Sequence, residues 1–132
     1  MDKDEWLNQL LRTAKTIIED EILGDKLREK IYIVNTRRGT QKYYELTKKV
    51  PIINATFWNE EYGNLETHRG VHFLFLNDIL VSNWIYGDTI ATIIHEILHA
   101  IFPTASEKEI KEMEDHCCRV KDVKREWALH SI

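Results

Sequence analysis

Five residues in the second half of the chain have types and a spacing that can bind a metal ion. They are His95-Glu96-Ile97-Leu98-His99, the pattern HExxH. Residues four apart lie on one face of an α-helix, so both imidazoles can direct a nitrogen at one ion. Glu96 lies about 100° around such a helix, where its carboxylate can take a proton from a water bound to that ion. We therefore expect His95 and His99 to be ligands of Zn²⁺ and Glu96 to be the catalytic base.

The residues around the motif favour the same interpretation. Thr92-Ile93-Ile94 precede the motif and Ala100-Ile101 follow it, which predicts a largely buried helix from about Thr89 to Phe102. Asp88 can cap this helix, and Pro103 must stop it. Burying imidazoles and a carboxylate costs free energy unless they are paired or bind something. The competing interpretation is an accidental HExxH pattern inside a structural helix.

Two further helices are predicted on either side of the motif and its strands. Apolar residues recur at three- and four-residue spacing from Asp4 to Leu23, and Gly24 ends that helix. Ser106-Glu107-Lys108-Glu109 is a capping-box sequence that begins a last helix, reaching about Trp127. With the apolar face of that helix turned inward, Glu107 and Glu114 are expected to point away from the core.

The segments between these helices predict a small, mostly antiparallel sheet of three or four strands. Val71–Leu76 is the most strand-like run. Ile31–Val34 and Lys42–Leu46 predict a hairpin around a turn, and Ile52–Trp58 predicts an extended segment after a proline. Residues 59 to 70 are expected to form an exposed loop. Strands in a block followed by helices give the α+β class.

The composition predicts one soluble globular domain over residues 1 to 132. Hydrophobic residues make up 43% of the chain, and the net charge is -4, so we expect no nucleic-acid partner. An acidic start and the lack of an apolar run of roughly 20 residues predict a cytoplasmic protein without a signal peptide, transmembrane segment or membrane partner. The adjacent Cys117 and Cys118 are expected to be inert thiols. The oligomeric state is open, with a monomer expected.

Roughly residues 88 to 115 resemble the active-site region of the zincin metallopeptidases. The resemblance implies a zincin-like fold, Zn²⁺ held by His95 and His99, and a zinc-bound water activated by Glu96. The metzincin subgroup has glycine and histidine at the positions that Phe102 and Ala105 occupy here, so that subgroup is excluded. The chain is more similar to the smallest gluzincins, called minigluzincins, and secondly to the small SprT-like metalloproteases.

The resemblance leaves the third metal ligand open. Gluzincins take a glutamate from the next helix, whereas SprT-like proteins use a third histidine. If the two helices are antiparallel, Glu109 comes level with His99 and is the expected ligand. Glu107 is the main alternative, because a cap at Thr104 would bring it level instead. Two residues deeper in the helix are further candidates, Glu112 and His116.

These observations predict a zinc-dependent metallopeptidase, specifically an endopeptidase, that hydrolyses a peptide or protein substrate. The resemblance implies that an extended substrate pairs with the edge of the sheet, for which Val71–Leu76 is the candidate strand. The alternative is a zinc-binding regulatory or interaction module that is catalytically silent. A latent enzyme is also considered, with residues 127 to 132 in the cleft and His130 near the metal. A nucleic-acid-binding helix pair is the third hypothesis, and the net acidity argues against it.

Overall fold

The computed structural model describes residues 1–53 and 63–126 and has the α+β architecture that the sequence predicts. Its described part contains five α-helices: α1 (Lys3–Ile18), α2 (Arg37–Thr47), α3 (Asp78–Ser82), α4 (Tyr86–Ile101) and α5 (Glu107–Val120). Its three strands are β1 (Lys30–Ile33), β2 (Gly63–His68) and β3 (Val71–Leu76). A helix therefore begins the fold, and a pair of helices follows the strands.

The predicted N-terminal helix is confirmed. Asp2 caps α1, since its carboxylate accepts the backbone N–H of Glu5 at 2.9 Å. The inward face of α1 is an apolar stripe at helical spacing, made of Leu7, Leu10, Leu11, Ala14, Ile17 and Ile18. A π-helical turn, Glu19–Leu23, extends α1 to Gly24, whose φ of 64° lets the chain leave the helix.

The sheet has the strand order β1-β3-β2. Strand β3 has the bounds that the sequence predicts, and it pairs in parallel with β1 and antiparallel with β2. The prediction of Val71–Leu76 as a free edge for a substrate is wrong, because both of its edges are already paired. Within residues 1–53 and 63–126, the unpaired edges belong to β1 and β2.

Two predictions about the sheet are wrong. Lys42–Leu46 is not a returning strand but part of α2, which Thr36 caps by accepting the backbone N–H of Gly39 at 3.0 Å. Residues 63 to 68 are not a loop but strand β2, which a turn at Arg69 and Gly70, both with positive φ, joins to β3. Of the segment Ile52–Trp58, residues 54 to 58 lie outside the described part, as do residues 59 to 62 of the predicted loop.

Helices cover both faces of the sheet. One core cluster contains the apolar sides of α1, α4 and α5 together with Ile31, Ile33, Leu74 and Leu76. A smaller cluster lies on the other face, where Tyr43 of α2 packs against Phe73 and Phe75. Buried on both sides, β3 fixes the position of the chain that leads into α3 and α4.

The two C-terminal helices differ from their predicted limits at the ends. Helix α4 begins at Tyr86, so Asp88 lies inside its first turn and does not cap it. Helix α5 begins after Ser106 with the predicted capping box and ends at Val120, well before Trp127. Within residues 1–53 and 63–126, no helix has the length and apolar character needed to cross a bilayer.

Candidate metal centre

Helix α4 is buried over most of its length, and polar side chains reach solvent at one place on it. From Gly87 to Leu98 every residue is buried except His95. The side chains of His95 and His99 are 17% and 26% exposed, and the centroids of their rings are 4.9 Å apart. The two imidazoles therefore lie side by side on one face, as their four-residue spacing predicts.

Helix α5 brings a carboxylate to these imidazoles. Glu107 Oε1 lies 2.7 Å from His95 Nε2, and Glu107 Oε2 lies 2.9 Å from His99 Nε2. One ligand atom from each of the three side chains lies within 4.8 Å of the others. Two imidazole nitrogens and one carboxylate are the donor set of a catalytic His₂Glu zinc site, which keeps a fourth position for water or substrate. The chemistry of this cluster fits a zinc ion.

The other predicted glutamate of α5 is used elsewhere. Glu109 accepts the backbone N–H of Ser106 at 3.0 Å, and Ser106 Oγ accepts the backbone N–H of Glu109 at 3.1 Å. Hydrogen bonds to the Glu109 carboxylate from the backbone and the side chain of Ser106 lower its pKa. The structure thus brings Glu107, and not Glu109, to the two imidazoles. Helical side chains tilt toward the N-terminus, so the first residue of α5 reaches back toward α4.

The two remaining candidates on α5 lie outside the cluster. Glu112 is on the exposed side of the helix. His116 faces the π-helical turn after α1, where its Nε2 lies 3.4 Å from Glu21 Oε1. Among the residues that the structure describes, His95, His99 and Glu107 form the one group that could hold a metal ion.

A buried carboxylate lies behind His95, and sequence reasoning missed it. Glu114 is 2% exposed, and its Oε1 lies 2.8 Å from His95 Nδ1. The expectation that Glu114 points away from the core is wrong. Because seven residues make about two helical turns, Glu114 shares a face with Glu107. A hydrogen bond from Nδ1–H to this carboxylate would orient the ring and leave Nε2, beside Glu107, available to a metal ion.

The charges around His95 favour an ionised Glu114. Burial alone would raise the pKa of Glu114, but the hydrogen bond with His95 and the positive charges of Arg125 and Lys111 outweigh it, so the pKa is lowered. Burial acts to lower the pKa of His95, but Glu114, Glu96 and Glu107 raise it above the ordinary value. The same negative field would attract a metal cation.

Glu114 is held in turn by two cationic side chains. Its Oε2 lies 3.1 Å from Lys111 Nζ and 3.4 Å from Arg125 Nη2. Arg125 Nη1 also donates to the carbonyl oxygen of Asp88 at 3.4 Å and to Thr92 Oγ1 at 3.3 Å. The guanidinium of Arg125 thus links the carboxylate behind His95 to the first turns of α4.

Arg125 belongs to a C-terminal segment (residues 121–126) that packs against the start of α4. The backbone N–H of Glu126 donates to the buried carboxylate of Asp88 at 2.7 Å. A Cβ atom on Gly87 would lie 1.8 Å from the carbonyl oxygen of Lys124. Glycine is therefore required at position 87 for this close approach of two backbones.

Glu96 lies on the side of α4 that faces strand β2. Glu96 is 8% exposed, and a Cβ atom on Gly63 would lie 3.8 Å from Glu96 Cγ. The same Cβ would lie only 2.7 Å from Thr92 Cγ2, so the missing side chain of Gly63 lets β2 begin against α4. The edge of β2 that pairs with no other described strand consequently starts beside the predicted base.

The two cysteines form no disulfide. Both are free, with Cys117 buried and Cys118 partly buried. Burial is the main cause that raises the pKa of each thiol to about 11, with a further contribution at Cys117 from its neighbour. The tail residues 127 to 132, including His130, lie outside the described part.

No protein-family model matches the sequence, and no curated protein or solved structure is significantly similar to the chain.

Proposed function

We propose that this chain is a zinc-dependent metallopeptidase in which His95, His99 and Glu107 hold the ion and Glu96 is the general base. The observation that carries the proposal is the convergence of Glu107 on both Nε2 atoms, at 2.7 and 2.9 Å. This convergence joins residues from two helices, which an accidental HExxH pattern would not require. Among the two glutamates favoured from the sequence, we select Glu107 as the third ligand.

The surroundings of His95 support a metal-binding role over a merely structural one. A structural histidine would be satisfied by one partner, whereas His95 has a carboxylate at each ring nitrogen. A carboxylate on Nδ1 is the usual partner of a zinc-binding histidine. A zinc ion bound here would polarise a carbonyl group and lower the pKa of water.

Glu96 is the residue to which we assign proton transfer. Its position one residue after His95 turns it away from the ligand face and toward β2. A carboxylate there can accept a proton from the attacking water and return it to the leaving amine. Peptide hydrolysis needs both transfers, and one carboxylate can make them in turn.

The free edge of β2 is the proposed position of the substrate backbone. An extended peptide can add to a sheet edge through main-chain hydrogen bonds, with side chains contributing specificity. Among the described strands, β2 pairs with β3 alone, and it begins beside Glu96. The proposed substrate edge is therefore Gly63–His68 and not Val71–Leu76, and the proposed activity is that of an endopeptidase.

The test is cleavage of an unfolded protein, such as reduced and alkylated casein, by the purified chain with one equivalent of zinc. We expect Glu96→Gln to keep its zinc and to lose about 10²- to 10⁴-fold in rate, the range for a general acid–base group. Glu112→Gln is the matched control, because it makes the same change on the exposed side of α5. Cleavage by Glu96→Gln at the wild-type rate would refute the assigned role.

Three other results would change the proposal. A chain that takes up no zinc would remove the metallopeptidase altogether. A chain that binds zinc tightly but cleaves none of several unfolded substrates would favour the catalytically silent module. Activity that appears only after deletion of residues 127 to 132 would instead identify a latent enzyme.

A further inference from the structure

A second feature of the molecule lies away from the metal centre, between α1 and β1. It is a cavity of about 400 Å³ whose walls come from one face of α1, the edge strand β1 and the start of α2. Leu11 and Ile31 supply apolar surface, and Asn8 supplies an amide group. No residue of α4 or α5 lines this cavity. Its volume is within the range of sites that bind small molecules.

The charged side chains around this cavity are mostly positive. Four cations line it, and the single carboxylate among them is Glu29; the cations are Arg12, Lys15, Lys30 and Arg38. The whole chain has a net charge of -4, so this local excess opposes the overall balance. The carboxylate of Glu29 also accepts a hydrogen bond from the backbone N–H of Arg28, at 3.2 Å.

The four cations lack counter-ions in the described part of the protein, where no carboxylate oxygen lies within 4.0 Å of their charged nitrogens. Arg38 lies over the ring of Tyr32, with its Cζ atom 5.6 Å from the ring centroid. Burial lowers the pKa of Lys15, and Arg38 acts in the same direction against the opposing charge of Glu19. Four positive charges thus line one volume, and none of them forms an ion pair within 4.0 Å in the described part.

We propose that this cavity binds a small organic phosphate with at least two negative charges. Two guanidinium groups can each donate paired hydrogen bonds to phosphate oxygens, and two ammonium groups add charge around them. The apolar wall and the amide of Asn8 can contact the organic part. A small molecule is favoured over a nucleic acid, because the positive groups surround one compact cavity and the rest of the chain is acidic. The proposal is independent of the metallopeptidase activity.

The test is a titration of the full-length chain with ADP and with pyrophosphate, followed by amide chemical shifts in ¹⁵N-labelled protein. We expect saturable binding with shifts in residues 8 to 15 and 29 to 38. Arg12→Gln and Arg38→Gln should each weaken binding about tenfold or more, since each removes charge-assisted hydrogen bonds. Arg119→Gln is the matched control, because it removes the same charge from the exposed end of α5.

Several outcomes would overturn the proposal. Absence of saturable binding at low ionic strength is one. If Arg119→Gln weakened phosphate binding as much as Arg12→Gln or Arg38→Gln, the binding would be a general attraction to positive charge and not binding at this cavity. Shifts confined to residues 92 to 107 would mean that the phosphates bind at the metal centre. Tighter binding of citrate than of either phosphate probe would assign the cavity to carboxylates instead.

Discussion

Replacing Glu114 by glutamine should weaken zinc binding without removing any of the three proposed ligands. The substitution preserves the size of the side chain and an oxygen that can accept the Nδ1–H of His95. It removes the negative charge that lies 2.8 Å from that nitrogen. Loss of such a partner typically lowers metal affinity about 10- to 100-fold, which corresponds to roughly 1.4–2.7 kcal/mol.

The same substitution should also destabilise the metal-free protein, for a separate reason. Lys111 and Arg125 both lose an ionic partner, but their side chains are 51% and 29% exposed, so water compensates for much of the loss. The full cost of breaking a buried ion pair is about 3–5 kcal/mol, and we expect about 1–2 kcal/mol here. For a chain of this size, that is a fall in Tm of about 4–7 °C.

Competition with a chromophoric zinc chelator measures the first effect, and thermal unfolding of metal-free protein followed by circular dichroism measures the second. Glu112→Gln controls for the loss of one acidic charge from α5. An affinity of Glu114→Gln within twofold of the wild type would refute the assigned role of Glu114. A lower Tm with unchanged zinc affinity would make Glu114 a structural residue only.

Three further predictions follow from the same region. Glu107→Gln should lose most of its zinc affinity whereas Glu109→Gln should keep it, and the reverse order in a chelator competition would restore Glu109 as the ligand. Gly87→Ala should destabilise the protein by about 1–3 kcal/mol in urea unfolding, because its methyl group meets the backbone of the C-terminal segment; an unchanged midpoint would contradict that packing. Cys117 and Cys118, with pKa values of about 11, should react with a thiol reagent at pH 8 about 100-fold more slowly than in urea, and the rate should rise with pH; equal rates would refute their burial.

The sequence predicts best those elements in which periodicity and burial agree. The apolar stripe of α1 and the run Val71–Leu76 both lie in the core, so the spacing of their apolar side chains indicates the type of secondary structure. The motif helix is predicted for the same reason. The capping box at Ser106 is also confirmed, because it depends on only four consecutive residues.

Helix α2 was mistaken for a strand because of its composition. Tyr43 and Tyr44 favour strands, and Gly39 suggests a turn. In the structure Gly39 is buried, and a Cβ atom there would lie 1.8 Å from the carbonyl oxygen of Ile33. The glycine lets α2 begin directly against the end of β1. Only the tertiary packing distinguishes this role from that of a turn residue.

Strand β2 was missed because it is polar and at an edge. Its burial alternates weakly, and its contacts with β3 are largely those of the backbone. Side-chain patterns therefore carry little information about it. In the sequence, Gly70 is the residue that indicates the turn before β3, because glycine is typical of two-residue hairpin turns. In the structure both turn residues, Arg69 and Gly70, have the positive φ that such a turn requires.

The rotation of α5 about its own axis decides which of its side chains contact the HExxH motif on α4. Counting residues from the helix ends aligns α5 with α4 along their axes, but it cannot give the rotation of α5 about its own axis. Glu107 and Glu114 share a face, so a single error of rotation displaced both of them. Arg125 lies beyond the helix, where no periodic pattern applies, and only the folded chain places it beside Glu114.

The arrangement of the proposed ligands on neighbouring helices has a consequence for the order of assembly. His95 and Glu107 are 12 residues apart in sequence, whereas the pairing of Lys30 with Val71 joins residues 41 apart. Closing the shorter loop costs less chain entropy, and local contacts form early in folding. We expect the helix pair to form and to bind an ion before β1 pairs with β3. Zinc would then raise the Tm by less than the value calculated from its affinity for the native state alone. The reason is that chains in which only the helix pair has formed would also bind the ion.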